Sequence, residues 1–214
     1  MLLLIPLLVV SYLLGSIPTS ILVARRWKGI DIRRHGSGNA GGTNVLRVVG
    51  WKAALLVASV DVGKGSLAAC LPSFMPDGRL AMDTVDAAAL CGTFAVVGHI
   101  YPIFAGFRGG KGIGTSAGMY LVTQPLAVAL VAPVFFVAVL VSRMVSLGSV
   151  IAATSLPVAL WLTRGGPWIK AHTIAFAVSI GLACLVVLKH SSNMVRIARG
   201  TENRLGGGKE KSRE

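Results

Sequence analysis

Residues 2–24 read LLLIPLLVVSYLLGSIPTSILVA without a single charge, and they run straight into RRWKGIDIRR at 25–34, which holds five cations and one acid. An α-helix needs about 20 apolar residues to cross a hydrocarbon core, so the first stretch predicts a membrane-spanning helix. The second predicts its cytoplasmic end, because short cytoplasmic segments keep an excess of Lys and Arg. No basic segment precedes the apolar run, and no small-residue cleavage site comes before Arg25 and Arg26. It reads as a retained anchor and not as a signal peptide.

The rest of the chain agrees with that start. Of 214 residues, 54% are apolar and 14% charged, and the mean hydropathy is +0.73. A soluble domain carries about 25% charge, so this inventory cannot build a water-facing surface, and disorder needs the opposite balance. Further spans are predicted at 53–74, 87–104, 145–163 and 171–188. The stretch 113–141 is long for one span, short for two, and interrupted by Pro125 and Pro133. Charge decides its reading. Segment 75–86 sets Asp77, Asp83 and Asp86 against Arg79 and belongs outside, whereas Arg108, Lys111 and the basic tail from Lys189 belong inside. An even number of crossings must separate Lys111 from Lys189, which requires a split near Gln124–Pro125 and puts Arg143 in a cytoplasmic turn. The expectation is an all-α integral membrane protein of seven transmembrane helices, two of them short, with the N-terminus outside and the C-terminus inside. Residues 1–205 form one polytopic domain, and 206–214 a disordered cytoplasmic tail. No soluble domain and no internal repeat is visible.

The net charge of +13 does not imply nucleic acid. Of 21 Lys and Arg residues, seven lie in 25–52 and seven in 189–214, the gaps where a membrane protein keeps its cytoplasmic charge, and no base-stacking aromatic pattern accompanies them. Cys70, Cys91 and Cys184 are odd in number, far apart and set in apolar runs, which fits neither a disulfide framework nor a metal site. No metal and no cofactor is expected.

Three polar clusters fall on the predicted cytoplasmic side, and each suits anions. The first is GSGNAGGTNVLR at 36–47. Closely spaced glycines (Gly36, Gly38, Gly41) let backbone N–H groups converge on one point. Ser37, Asn39, Thr43 and Asn44 add neutral donors, and Arg47 adds a bidentate cation suited to phosphate. The second runs from Gly98 to Gly114, with Arg108, Gly109, Gly110, Lys111 and Gly112 opening an apolar helix, a natural phosphate position. It is not a Walker loop, since Gly112 follows Lys111. The third, HSSNMVRIARGTE at 190–202, places His190, Asn193 and Arg196 on one helical face; Glu202 is expected to pair with an Arg. Within the second span, Asp61 and Lys64 are spaced to neutralise each other, with Lys64 a candidate phosphate contact. No His is followed five positions on by Asp, and there is no G-x-S-x-G elbow and no His/Cys metal spacing. An anion pocket without nucleophile or paired acid and base implies group transfer by positioning and charge stabilisation. A transporter of phosphorylated metabolites would want a polar cluster on the outer half, which 75–86 and 164–170 do not offer, and a scaffold has no use for clustered Gly, Asn and Thr.

Gly-Ser-Gly-Asn-x-Gly-x-Thr-Asn-x-x-Arg (36–47), Gly-His-x-x-Pro-x-Phe…Gly-Gly-Lys-Gly (98–112) and His-x-x-Asn-x-x-Arg…Gly-x-Glu (190–202) occur in this order. As an ordered set they closely resemble the acyl-phosphate-dependent glycerol-3-phosphate acyltransferases of bacteria, the PlsY family. Gly15-Ser-Ile-Pro-Thr and Asp61-Val-Gly-Lys-Gly also resemble it; Gly42, where Ala is expected, departs from it. The resemblance implies transfer of a fatty acyl group from acyl phosphate to glycerol 3-phosphate, giving 1-acyl-glycerol 3-phosphate and phosphate. This is the first acylation of phospholipid synthesis, at the inner face of the bacterial plasma membrane, functionally linked to the enzyme that makes acyl phosphate. It further implies that Ser37, Arg47 and Lys111 hold phosphate and stabilise developing charge, with backbone donors from Gly109, Gly110 and Gly112. His190 and Asn193 would orient glycerol 3-phosphate, assisted by Asn39, Thr43 and Asn44, while Asp61, His99 and Glu202 are structural. The base is either His190 or a substrate phosphate oxygen, and direct transfer is favoured over an acyl-Ser37 intermediate.

Overall fold

The structure, a computed structural model, describes residues 3–76, 80 and 82–206, and the regular elements among them are all helical. The tail from 207 onward, Asp77 and Arg79 lie outside the described residues. The first apolar run folds as α1 (Leu4–Gly15) and α2 (Thr19–Lys28), one crossing broken at Ser16-Ile17-Pro18. Pro18 lacks the N–H that would continue the ladder and disfavours helix at the residue before it. The Ile17 carbonyl freed by the break accepts the Lys64 ammonium at 3.3 Å. α2 ends at Gly29 in the left-handed region, with Arg25, Arg26 and Lys28 in its last turn, where cations complement the helix dipole.

A short helix α3 (Gly42–Val48) leads into α4 (Trp51–Cys70), and α5 (Thr84–Ile100) returns, its N-terminus capped by the Asp83 carboxylate on Val85 N–H at 2.7 Å. The ambiguous stretch resolves into α6 (Ile113–Thr123) and α7 (Pro125–Ser142), divided at Gln124 as charge bias requires. α6 has only 11 residues, about 17 Å at the helical rise, against a hydrocarbon core of about 30 Å. α7, expected to be short, has 18. α8 (Val145–Ala171) runs through the expected 164–170 loop and kinks at Gly165, two residues before Pro167. α9 (Thr173–Lys189) and α10 (Ser191–Ala198) follow, bent by 56° at His190. Among the described residues, five segments are long and apolar enough to cross a bilayer (α1 with α2, α4, α5, α7 and α8), and α9 with α10 forms a sixth if the bent pair is one span, against the seven expected.

Small residues set how the helices meet. In lipid there is little hydrophobic drive between helices, so close backbone packing has to supply the attraction. A methyl at Gly118 of α6 would overlap the Val62 carbonyl of α4, and one at Gly65 the Thr115 carbonyl. α1 and α5 lock likewise through Gly15 against Ala95 and Gly98 against Tyr12. One buried cluster joins Val96, Ile100, Met119, Leu156, Leu160 and Leu182, and a second, under the polar end, joins Ile21, Ile32, Val45 and Val57. Large apolar side chains such as Leu140, Val141, Trp161 and Leu162 point outward, as a lipid-facing surface requires.

Candidate active site

Loops at one end of the bundle carry all three polar clusters. In the first, Asp31 caps the 3-10 turn Ile32–Arg34 and grips the Arg33 guanidinium, Nη2 to Oδ2 at 2.7 Å. The Arg33 hydrogen bonds hold the Asp31 carboxyl down at about 2. Arg33 Nη1 also donates to the Ala105 carbonyl at 2.9 Å, tying this loop to the one after α5. The loop is knotted around buried Asn44. Its Nδ2 donates to the carbonyls of Ile32 (3.2 Å), His35 (2.9 Å) and Asn39 (3.1 Å), while Oδ1 accepts the Ser37 N–H at 3.0 Å. Gly36 lies at φ +57°, and a side chain there would strike the Asn44 amide. The Asn44 amide N–H groups are therefore committed to the loop, so the side chain shapes the site and does not offer a donor to it.

The second loop folds back on α5. Gly109 N–H donates to Ile100 O at 3.2 Å and Gly110 N–H to His99 O at 3.1 Å. The ligand donors expected of these two glycines are thus used to close the C-terminal end of α5, whose orphan carbonyls need partners. A methyl at Gly110 would overlap the His99 imidazole. Gly112, at φ +83°, turns the chain into α6. His99 Nδ1 lies 3.5 Å from Asp61 Oδ1, and Lys64 Nζ 2.9 Å from the same oxygen, forming the structural ion pair anticipated for Asp61. Lys64 itself is buried among these partners and does not line the main cavity; Gly36 and the exposed Arg108 do not line it either.

The third cluster is built around Glu202. Its Oε1 accepts from Ser146 Oγ (2.7 Å) and Asn193 Nδ2 (2.6 Å), and its Oε2 from Arg196 Nε (2.8 Å). Asn193 Oδ1 in turn accepts the Lys111 ammonium. The network thus links α8, α10 and the second loop. Burial alone would raise the Glu202 carboxyl, but the hydrogen bonds from Ser146, Asn193 and Arg196 hold it below its ordinary range. Lys111 is lowered to about 8, chiefly by burial, with Glu202 opposing and the nearby Arg196 and Arg47 charges adding to the fall. His190 sits at the joint between α9 and α10. Its Nδ1 is 2.8 Å from the Val186 carbonyl, which places the N–H on Nδ1 and leaves the Nε2 lone pair. Burial and the Lys111 charge push it down to about 4.

These parts close around one cavity of about 800 Å³. Ser37, Gly38, Asn39, Gly41, Thr43, Asn44 and Arg47 form one wall; Lys111, Gly112, Asp61 and His99 form the next; His190, Asn193 and Glu202 complete it. Sequence reasoning missed Ser146, Lys189 and Asn203, which also line it. The only signal for Ser146 was a hydroxyl just past the Arg143 turn, and that position has no motif. Among the described residues, no group of three or more His, Cys, Asp or Glu is placed to hold a metal ion.

A pocket whose wall carries Arg47, Lys111, Lys189 and Arg196 beside glycine backbone and neutral donors suits a phosphorylated ligand, and known proteins share the sequence and the fold. The sequence profile of the glycerol-3-phosphate acyltransferase family matches residues 5–200. The glycerol-3-phosphate acyltransferase of Chlorobaculum tepidum is 38% identical, over 95% of this chain and 97% of that protein. The one from Chlorobium phaeobacteroides is 40% identical, over 96% and 97%. The crystal structure of PlsY (YgiH), an integral membrane glycerol 3-phosphate acyltransferase, in its glycerol 3-phosphate form superposes with a TM-score of 0.84 at 32% identity, covering 95% of this chain and 96% of that one. Its lysophosphatidic acid form gives 0.81, with 95% of each chain covered. The chain belongs to the PlsY-type glycerol-3-phosphate acyltransferase family.

Proposed function

We propose that this protein transfers a fatty acyl group from acyl phosphate to glycerol 3-phosphate, releasing 1-acyl-glycerol 3-phosphate and phosphate. The observation that carries the reading is the meeting of segments 36–47, 111–112 and 190–202 around one cavity, with Arg47 and Lys111 both in its wall. The glycerol C1 hydroxyl oxygen attacks the acyl carbonyl carbon. The carbonyl oxygen takes up negative charge beside Arg47 and Lys111, and the carbon–oxygen bond to phosphate then breaks. Preorganised charges and hydrogen-bond donors aimed at such a developing charge stabilise it without reorganising at the moment of reaction. Ser37, the backbone of Gly38 and Gly41, and Gly112 hold phosphate; Asn39, Thr43, His190 and Asn193 orient glycerol 3-phosphate. Asn44 and Glu202 position these groups without touching substrate.

The proton of the attacking hydroxyl passes to a substrate phosphate oxygen. A phosphate monoester ionises near about 6, so it is a stronger base than His190, lowered to about 4. His190 Nε2 accepts a hydrogen bond from a glycerol hydroxyl and fixes its direction.

The same reading gives seven crossings, with the N-terminus outside and the cavity on the cytoplasmic face of a bacterial plasma membrane. It is supported by the cations around the cavity and by Asp83, Asp86 and His172 at the other end, where His172 Nε2 lies 3.4 Å from Asp83 Oδ1. Leu205 N–H donates to the Arg143 carbonyl at 2.7 Å, which keeps the end of α7 with the C-terminal segment and supports reading α6 and α7 as an outward and a return pass. Residues 1–205 form the one catalytic domain, 206–214 a cytoplasmic tail, and an acyl-phosphate-forming enzyme must supply the donor at the same membrane. Purified protein in detergent, given palmitoyl phosphate and labelled glycerol 3-phosphate without any thioester donor, should form labelled lysophosphatidate; absence of that product refutes the reaction.

A further inference from the structure

The loop between α5 and α6 starts deep. His99, near the end of α5, has its Nδ1 3.5 Å from Asp61 Oδ1, and Asp61 lies about ten residues into α4, roughly 15 Å from the Trp51 head at the helical rise. That head is level with the cationic end of α2, where Lys28 Nζ donates to the Val48 carbonyl at 2.5 Å. α5 therefore stops about half a hydrocarbon core below the boundary that Arg25, Arg26 and Lys28 mark. Tyr12, within the first span, agrees, since its hydroxyl donates to the Tyr101 carbonyl at 2.9 Å. From Ile100 the chain climbs through a 3-10 turn at Ile103–Ala105 and returns, Phe107 N–H closing on the Pro102 carbonyl at 2.9 Å and Gly109 N–H on that of Ile100. Three residues at about 2 Å and two at about 3.5 Å allow a climb of about 13 Å at most. The tip cannot clear the boundary.

The tip is nevertheless apolar and bare. Ala105 packs against the cluster of Ile21, Ile32 and Val45, while Ile103, Phe104 and Phe107 are 48%, 61% and 56% exposed. Phe107 holds φ +59° directly after Gly106 at +63°, a backbone region that bulky residues rarely adopt. A ring left bare on such backbone has no use in water. Arg108 follows, itself exposed, and among the described residues no acid lies within ion-pair distance of it. Aromatic rings at a membrane boundary with a cation beside them suit the headgroup–acyl region of a leaflet.

We propose that Ile103, Phe104 and Phe107 form a wedge in the leaflet at the cavity end, that Arg108 reaches the phosphate of an anionic lipid there, and that this grip braces the loop carrying Lys111. The wedge and Lys111 share one short loop. It is clasped to α5 through Gly109 and Gly110 and to the first polar loop through Arg33 Nη1 on the Ala105 carbonyl at 2.9 Å. Lipid around the wedge thus limits how far Lys111 can shift. Arg108, which stands outside the cavity wall, serves the headgroup and not the substrate, as a cation beside an anionic surface does. The place of the wedge does not depend on the reaction assigned above.

The test is a depth measurement. Ile103→Cys, Phe104→Cys and His35→Cys, each alone in a chain freed of Cys70, Cys91 and Cys184, carry a nitroxide in vesicles of phosphatidylethanolamine and phosphatidylglycerol. Oxygen concentrates in lipid and a nickel chelate in water. At 103 and 104, oxygen collisions should exceed nickel collisions by about five-fold or more, as for side chains seated in the acyl boundary, with the order reversed at exposed His35. Nickel access at 103 and 104 equal to that at 35 puts the loop in water and overturns the wedge. Shielding from both reagents means protein covers the tip, a second copy or a partner, and overturns it as well. The brace has its own readout, kcat/KM for glycerol 3-phosphate in the same vesicles. It should fall several-fold when Phe104→Ser and Phe107→Ser are combined and hold in Phe104→Leu; full activity in the first, or an equal loss in the second, overturns the brace. The rate should also rise with the phosphatidylglycerol fraction, a response that Arg108→Lys keeps and Arg108→Gln loses. An equal response in Arg108→Gln overturns the headgroup contact.

Discussion

At the scale of single residues, the proposed transfer depends on Arg47 and Lys111, whose charges have to survive in the wall of the cavity. Lys111 is the exposed flank of that design, lowered to about 8 by burial and by the Arg196 and Arg47 charges. A lowered lysine is protonated below its pKa and loses its charge as pH rises through it. Since kcat/KM reports the ionisations of the free enzyme, it should fall above pH 8. Lys111→Arg, charged throughout, should lose that basic limb even if its rate is lower, and a limb at the same pH in that variant assigns it to another group. Arg47→Ala and Lys111→Ala should each lower kcat by at least about 100-fold, the scale for removing one preorganised stabilising group, with the protein still folded in detergent. Near-normal turnover in either removes that residue from the chemistry. Ser37 poses the opposite question: its hydroxyl stands in the cavity wall, and the nearest imidazole in sequence, His35, has its Nδ1 3.0 Å from the Asp31 carbonyl. Ser37→Cys incubated with labelled acyl phosphate should yield no stable acyl adduct; a thioester recovered on the protein would replace direct transfer by a covalent intermediate.

At the scale of elements, the loops are only as well placed as the helices that carry them, and α6 carries Lys111 at its head. α6 and α4 approach through Gly118 against the Val62 carbonyl and Gly65 against the Thr115 carbonyl, and Ser66 Oγ donates to Gly118 O at 2.9 Å. Gly118→Leu should force the pair apart, lowering the melting temperature in detergent and abolishing activity together. Gly63→Ala on α4, the other helix of the pair, meets nothing within 4 Å. It should hold or raise stability by about 0.5–1 kcal/mol, the usual gain for Ala over Gly in a helix, and equal losses in both variants would discard the close-packing account. The helices themselves were readable from composition and charge. The break at Gln124 followed from the sidedness of Lys111 and Lys189, since polarity at a membrane has only two values. The length of α8 was not readable, because 164–170 holds Arg164, Lys170 and two glycines that resemble a loop; in the fold Arg164 donates to Gln124 Oε1 at 3.0 Å and the kink at Gly165 absorbs the rest. The residues of the site were legible as a set but not in their separate duties. Asn44, Gly109 and Gly110 belong to the right motifs, yet their hydrogen bonds turn inward to backbone groups, and no pattern of residue types records which way an amide points.

At the scale of the whole molecule, most cations gather at the cavity end of the bundle, where Asp31, Asp61 and Glu202 are each paired with one, while Asp83 and Asp86 lie at the other end, and that bias favours anion chemistry at one end. Glycerol 3-phosphate is a soluble anion and an acyl chain is a lipid, so the reaction needs a polar cavity at one face that opens onto an apolar slot inside it. That arrangement holds only if every cluster is on the same side, and the parity of crossings is what guarantees it. The sensitive position is the turn between α7 and α8. If α6, only 11 residues long, and α7 together make an outward and a return pass, residue 144 faces the cytoplasm with 35 and 199; if they make a single crossing, it faces outward and the three segments cannot share a cavity. Single cysteines at His35, Asp83, Met144 and Arg199, in a chain freed of Cys70, Cys91 and Cys184, separate these cases with a membrane-impermeant thiol reagent. Asp83→Cys should label in intact cells, and the other three only after the membrane is opened. Labelling of Met144→Cys from outside, with His35→Cys still protected, breaks the parity and dissolves the site.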